Sequence, residues 1–445
     1  MDPAAEPQVD RLHYYTDRVK WLEITPQSRE LFSTDAIFAL LSEAAELPIF
    51  PNLINLTWLR TTDIQHSLTL MHRHVTVVKL HIRDNKMMTT FTHEIVKRMR
   101  FLRTIQLETN IGSSGHNLDY AKCIANLAGL RIFKVGNYLD EQVFRELAGL
   151  PHLECIHAVF GSGQPGQTRL PSDLGINAFD NLRRLALSIP ISGLTPSLEG
   201  GRHFGNLESL WLNTTTSSRT QHTEETTPQD FRVFASSLAR TSTSIRNIHL
   251  DMQRFEEPSP TSIRMTQYIG IADIAPLFVL STIRQFHLSH TYPLLLHNND
   301  LAILGDSWPR LECLSLNHEP STLKEPTLTL EVLAIIGHHS PLLRKLAISI
   351  NGAVCMATLH PGIVMTQLTD LWMGVSTTRS WLDCAVYLSH VLPRTARIRT
   401  AGPWWYDIVG TASDTQTIII DNARMWRHVI LLTCILHEAR GPRRR

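Results

Sequence analysis

One six-residue pattern, an apolar residue followed by two variable ones, then leucine, a variable residue and leucine, recurs along most of this chain. It reads directly in Leu53-Ile54-Asn55-Leu56-Thr57-Trp58, Leu102-Arg103-Thr104-Ile105-Gln106-Leu107, Leu182-Arg183-Arg184-Leu185-Ala186-Leu187, Leu207-Glu208-Ser209-Leu210-Trp211-Leu212 and Leu311-Glu312-Cys313-Leu314-Ser315-Leu316. Looser copies start at Val75, Leu130, Leu153, Ile245, Ile283, Leu343 and Leu368, so twelve starts are spaced 22 to 38 residues apart. A unit this short cannot bury its own apolar face, so neighbouring units must stack and share one core.

That period is the one expected of a leucine-rich-repeat array lengthened by insertions. The apolar residues at the fourth and sixth places alternate, which makes the motif a short strand with those two side chains inward and the third, fifth and seventh places on the opposite face. Helical segments are predicted between the strands, over 91–99, 118–127, 140–147, 228–239, 271–280, 299–308 and 328–338, and near the end over 381–391 and 424–439. Asp140-Glu141, Thr227-Pro228-Gln229-Asp230 and Asn298-Asn299-Asp300 carry side-chain oxygens suited to the free N–H groups of a first helical turn. The stretches 109–117, 161–168, 189–205, 213–228 and 254–262 read as polar insertions. The fold class that follows is α/β, a leucine-rich-repeat solenoid: a curved horseshoe with parallel strands on the concave face, helices on the convex face and helical caps. Residues 1–48 would form an N-terminal helical cap and linker, 49–400 the solenoid, and 401–445 a C-terminal cap and basic tail, ending in Arg443-Arg444-Arg445.

A net charge of +1 over 445 residues gives no global field for a polyanion, so nucleic acid and anionic membranes are not expected partners. The start, Met1-Asp2-Pro3-Ala4-Ala5-Glu6-Pro7, lacks the apolar stretch of a secretory signal. The longest apolar run, 429–436, falls well short of the ~20 residues of a membrane helix. Six widely spaced cysteines, with no C-x-x-C pair, fit a reducing compartment. A monomer in the cytoplasm or nucleus is the expectation.

Catalytic chemistry finds no foothold. His72-Arg73-His74 and His338-His339 lack cysteines or carboxylates at metal-ligand spacing, and Gly161-Ser162-Gly163-Gln164-Pro165-Gly166 lacks the lysine and following helix of a phosphate loop. No G-x-S-x-G elbow occurs. The reading is therefore no enzyme, no cofactor and no metal. The informative set is the fifth-place column: Thr57, Lys79, Gln106, Lys134, His157, Ala186, Trp211, His249, His287, Ser315, Ala347 and Trp372. Tryptophan is favoured at binding hot spots because it buries much area with few rotors. The predicted partner-binding residues are His157, Trp211, His249, His287 and Trp372, flanked by Asn247, Asp251 and Gln285, all exposed on the concave face. Alternatively, the loop 213–228 folds over Trp211. Ordinary histidines there would titrate near pH 6.5 and tune affinity. The second places alternate Arg103, Arg131, Arg183, Arg246, Arg284 and Arg344 with Glu154, Glu208 and Glu312, read as a solubilising rim.

The irregular repeats, the stretch from Asn299 to Leu316 and the aromatic opening Tyr14-Tyr15-Thr16-Asp17-Arg18-Val19-Lys20-Trp21-Leu22 resemble the fungal F-box proteins with leucine-rich repeats, over roughly Arg11 to Glu438. The resemblance implies a substrate-recognition subunit of a cullin-type (SCF-like) ubiquitin ligase, with a protein substrate on the repeats and a Skp adaptor and cullin bound through an F-box lying upstream. The stretch nearest to an F-box opening, Glu46-Leu47-Pro48-Ile49-Phe50-Pro51, runs straight into the first repeat. A repeat scaffold without a ubiquitin link therefore stays open beside it, and the chain starting at Met1 is not expected to bind a Skp adaptor tightly.

Overall fold

The structure, a computed structural model, describes residues 14–26, 48–59, 64–82, 85–109, 124–136, 139–159, 170–171, 173–175, 178–200, 204–214, 226–253, 267–320, 325–352, 365–378, 380–400 and 413–440. The chain divides into two compact units, Met1–Ser188 with Gly200–Phe204, and Ile189–Glu199 with Gly205–Arg445.

In the first unit, strands β1 (Trp21–Ile24), β2 (Asn55–Trp58), β3 (Val77–Ile82), β4 (Thr104–Thr109), β5 (Ile132–Val135), β6 (Cys155–Ala158) and β7 (Arg184–Ser188) follow one another in sequence order. Every pairing is parallel and without slippage: Glu23, Thr57, Lys79, Gln106, Lys134, His157 and Ala186 stand side by side. In the second unit, β8 (Ser209–Asn213), β9 (Asn247–Met252), β10 (Gln285–His290), β11 (Cys313–Leu316), β12 (Lys345–Ile348), β13 (Asp370–Trp372) and β14 (Arg397–Arg399) repeat the arrangement. There Trp211, His249, His287, Ser315, Ala347, Trp372 and Arg399 form the matching row.

The register follows from the apolar places. At the first, fourth and sixth positions the side chains from Leu53, Leu56 and Trp58 through Leu368, Leu371 and Met373 are at most 4% exposed. Each fully buried aliphatic side chain contributes about 1.5–3 kcal/mol, and a one-residue slip would turn the whole set to solvent. The second places add an order of their own. Their backbone N–H groups donate to the preceding second-place carbonyl, as in Arg131 to Arg103, Glu154 to Arg131, Arg284 to Arg246, Glu312 to Arg284 and Arg344 to Glu312. Their side chains pair at the rim, Arg131 with Glu154 and Arg284 with Glu312 at 3.4 Å each. Such exposed pairs are worth at most about 1 kcal/mol. Strand then helix, stacked in parallel, is an α/β leucine-rich-repeat solenoid in each unit.

Helices lie between strands where apolar residues recur every three or four positions. In the first unit α1 (Asn85–Arg98) buries Phe91 and Ile95, and α2 (Glu141–Ala148) buries Val143, Phe144 and Leu147, its first turn capped by Asp140 Oδ1 accepting from Val143 N–H at 2.8 Å. The second unit holds α3 (Ile191–Glu199), α4 (Pro228–Thr241), α5 (Ile271–Ile274, continued as a 3-10 turn to Val279), α6 (Asn298–Ser307), α7 (Glu331–His339), α8 (Trp381–Val391) and α9 (Ser413–Ala439). α8 packs against α9, whose Trp426, Val429 and Thr433 are buried. Among the described residues, no helix is long and apolar enough to cross a membrane.

Three sequence expectations are corrected. Residues 189–205 are not a polar insertion: α3 runs there and packs on α4, with Ile191, Leu194 and Leu198 buried at helical spacing. Gly193 and Pro196 interrupt the apolar pattern and hide it. Within 1–48, taken as helical, residues 21–24 are a strand, too short to show a period. At α6, Asn298 does not cap the helix; its side chain bonds Thr329, and Asp300 Oδ2 accepts from the His297 N–H instead. The predicted helix over 118–127 falls mostly outside the described residues, the insertion 109–117 does so but for its first residue, and the insertions 161–168 and 254–262 and the tail 441–445 do so entirely.

Candidate functional site

The fifth-place row of the second unit carries a continuous ladder of rings. Trp211 meets His249 edge-on, with ring centroids 5.0 Å apart; His249 stacks on His287 at 3.9 Å and 8° between planes. His287 then contacts His318 at 6.4 Å, His318 contacts Trp372 edge-on at 5.3 Å, and the Arg399 guanidinium lies 5.9 Å from the Trp372 ring. Adjacent strands run about 4.8 Å apart, which brings like positions within ring contact. The ladder is thus a direct product of the unslipped register.

His318 joins it from outside a strand. The fifth places of β11 and β12 are Ser315 and Ala347, too short to continue the row of rings. Asn317 takes a positive φ of 40°, a conformation asparagine tolerates better than most residues, and the chain turns so that the His318 ring fills the gap. Ser315 Oγ and His318 Nδ1 lie 3.3 Å apart. Asn317 is held from two sides: its Oδ1 accepts from His290 N–H at 2.9 Å and its Nδ2 donates to Tyr292 O at 2.6 Å. Against this turn packs Gly374, at φ +47°, where a Cβ would lie 1.8 Å from His318 O.

Burial governs the electrostatics. Desolvation brings His249 and His318 down to about 4, and His287, which also feels its two histidine neighbours, down to about 3. The histidines are therefore neutral at pH 6, which corrects the expectation that they titrate near 6.5. His287 Nε2 and Ser289 Oγ are 2.9 Å apart, fixing that ring. Two carboxyls border the ladder. Burial raises Asp251, against a weaker pull from the Gln253 N–H, and raises Glu319 to about 7, with a smaller opposing effect of the Trp372 indole. Gln253 reaches both residues, its N–H 3.4 Å from Asp251 Oδ1 and its Nε2 donating to the Glu319 backbone carbonyl at 2.6 Å.

Of the predicted site residues, Trp211, His249, His287 and Trp372 form the ladder, and Asn247, Gln285 and Asp251 flank it on β9 and β10. Trp211 is 39% exposed, while the two histidines and Trp372 are half-buried rather than open. Ser315 is buried beneath His318, and Ala186 is buried beside the longer His157. His157 belongs to the first unit, where it is half-buried and shifted down by desolvation and then Lys134. The row around it is polar: Lys79 pairs with Glu108 at 2.9 Å, and Gln106 donates to the same carboxylate. The loop read as a possible cover of Trp211 lies, over 215–225, outside the described residues. His318 and Glu319 were missed; the available signal was an asparagine following a strand whose fifth place is small.

Elsewhere, His339 Nδ1 lies 2.7 Å from Asp306 Oδ1, joining α7 to α6, and His72 reaches Phe50 O at 2.9 Å. Both are tertiary contacts. Among the described residues no group of three or more histidine, cysteine or acidic side chains is placed to hold a metal.

No model of a protein family matches the chain, and no curated protein does. Among solved structures the chain is similar to an LRR protein of Leptospira interrogans, at 13% identity and a TM-score of 0.39, over 92% of this chain and 96% of that one. At that distance the assignment to leucine-rich repeats rests on the motif, its burial and the parallel register.

Proposed function

We propose that this chain is a protein-binding repeat scaffold whose docking surface is the ring-bearing face of the second unit. The observation that carries this reading is the ladder from Trp211 to Trp372. These rings stand opposite the buried fourth and sixth places, so the repeat core does not require them. Large, stiff aromatic groups on an outward sheet face supply contact area at low entropic cost, the usual composition of an interface centre.

The test compares wild type with the double variant Trp211→Ala/Trp372→Ala by proximity labelling in the native cell. A specific set of neighbours should disappear from the variant while its melting temperature stays within a few degrees. An unchanged neighbour set in a folded variant would remove the reading.

A narrower reading makes the scaffold a substrate receptor of a cullin-type ubiquitin ligase. It is supported by the resemblance of the stretches 14–22 and 299–316 to fungal F-box proteins. Reconstitution of the protein expressed from its full native transcript with a Skp adaptor and cullin decides it: stoichiometric co-elution supports that class, and independent elution supports the scaffold without a ubiquitin link.

A further inference from the structure

We propose that the ring ladder receives an extended cationic segment of a protein partner, a lysine- or arginine-bearing stretch lying across β8 to β13 with a basic side chain directed at Asp251 and Glu319. This rests on the docking reading above and adds the chemistry of the occupant.

Two carboxyls beside the ladder, Glu319 buried and Asp251 half-buried, lack a basic partner among the described residues. Three other carboxylates of the second unit are paired with arginines: Asp273 with Arg232 at 2.8 Å, Glu312 with Arg284, Asp370 with Arg399 at 3.3 Å. Among the described residues Asp251 receives only the long bond from the Gln253 backbone, and Glu319 is 6% exposed with its Oε1 buried and without a hydrogen bond there. An uncompensated buried carboxyl is costly, and a cation brought by a partner removes that cost. Both groups are displaced toward the protonated form, as carboxyls awaiting a counter-charge are.

The rings point the same way. Indole and imidazole faces attract cations, and burial keeps all three histidines uncharged, so the ladder does not repel a lysine or arginine as protonated histidines would. The one cation on the row, Arg399, is already bound to Asp370 at its far end. Five strand spacings separate Trp211 from Trp372, roughly 24 Å at ~4.8 Å each, the reach of about seven extended residues.

The experiment labels the full chain with 5-fluorotryptophan and assigns Trp211 and Trp372 by Trp211→Phe and Trp372→Phe. Three twelve-residue probes are then titrated, alternating alanine with lysine, with serine or with glutamate. The lysine probe should shift both resonances with at least tenfold higher affinity than the serine probe, and the glutamate probe should shift neither. Asp251→Asn with Glu319→Gln should abolish the lysine preference. Equal responses to lysine and glutamate, a preference for glutamate, or no response to lysine would each overturn the cationic assignment, with no need of the variants. Those outcomes leave the docking face to be judged separately, by the loss or retention of cellular neighbours in Trp211→Ala/Trp372→Ala.

Discussion

Trp211 and Trp308 show how position decides what an indole does. Trp308 is fully buried after α6, and its Nε1 donates to Leu277 O at 3.2 Å. Trp211 has the same side chain but lies 39% exposed on the opposite side of the sheet, touching His249. Truncating Trp308 to alanine should cost about 3–5 kcal/mol of stability, as for a large buried aromatic. Trp211→Ala should cost about 1 kcal/mol, the ordinary size of a substitution outside the core, with its main effect on binding. Paired urea unfolding of the two variants checks this, and equal losses would put Trp211 in the core. The difference was readable beforehand because strand side chains alternate: Trp211 sits between Leu210 and Leu212, so their burial turns it outward. His318 was not readable in the same way. Its place depends on the backbone angle of Asn317 and on the room above Ser315, and neither follows from a period. The histidine pKa values were also hidden, since they arise from rings of strands distant in sequence.

At the scale of elements, local signals and tertiary constraints can be weighed against each other. The α4 start was legible: Thr227 Oγ1 accepts from Asp230 N–H at 3.1 Å while Asp230 Oδ2 accepts from Thr227 N–H at 2.9 Å, with Pro228 in the first turn. Losing that cap in Thr227→Ala should cost about 1 kcal/mol. The turn after β13 is a different case. Gly374 needs both a positive φ and the absence of a Cβ, because His318 O occupies the space. Gly374→Ala should therefore cost at least about 3 kcal/mol, and it should also disturb the His318 and Trp372 rings. Denaturant midpoints measure both, and a glycine substitution as mild as the cap loss would mean that this turn does not hold the ladder. Sequence marked the cap because capping is local. It left Gly374 unmarked because the atom it must avoid lies 56 residues earlier, at His318.

For the whole molecule, the buried titratable groups set how stability responds to acid. A histidine held near 4 or 3 when folded but near 6.5 when unfolded binds its proton in the unfolded chain first, so the stability it contributes is complete above pH 6.5 and lost as pH falls through the folded value. Glu319 acts in the reverse sense. Raised from 4.5 to about 7, it holds a proton in the folded chain that the unfolded chain has released, so its stabilising effect grows as pH falls from about 7 to 4.5. Of these four groups alone, three histidines against one carboxyl leave a net uptake of about two protons on unfolding, a loss of about 2.7 kcal/mol per pH unit near pH 5.5. Calorimetric melts from pH 7.5 to 5 should show the melting temperature falling below about pH 6.5. Glu319→Gln should steepen that fall by about one proton, since the opposing group is gone, and His287→Gln should flatten it by about one. A melting temperature independent of pH across that range would mean that the ladder histidines are solvated in the folded protein. The neutral, cation-accepting character of the face would then be lost with it.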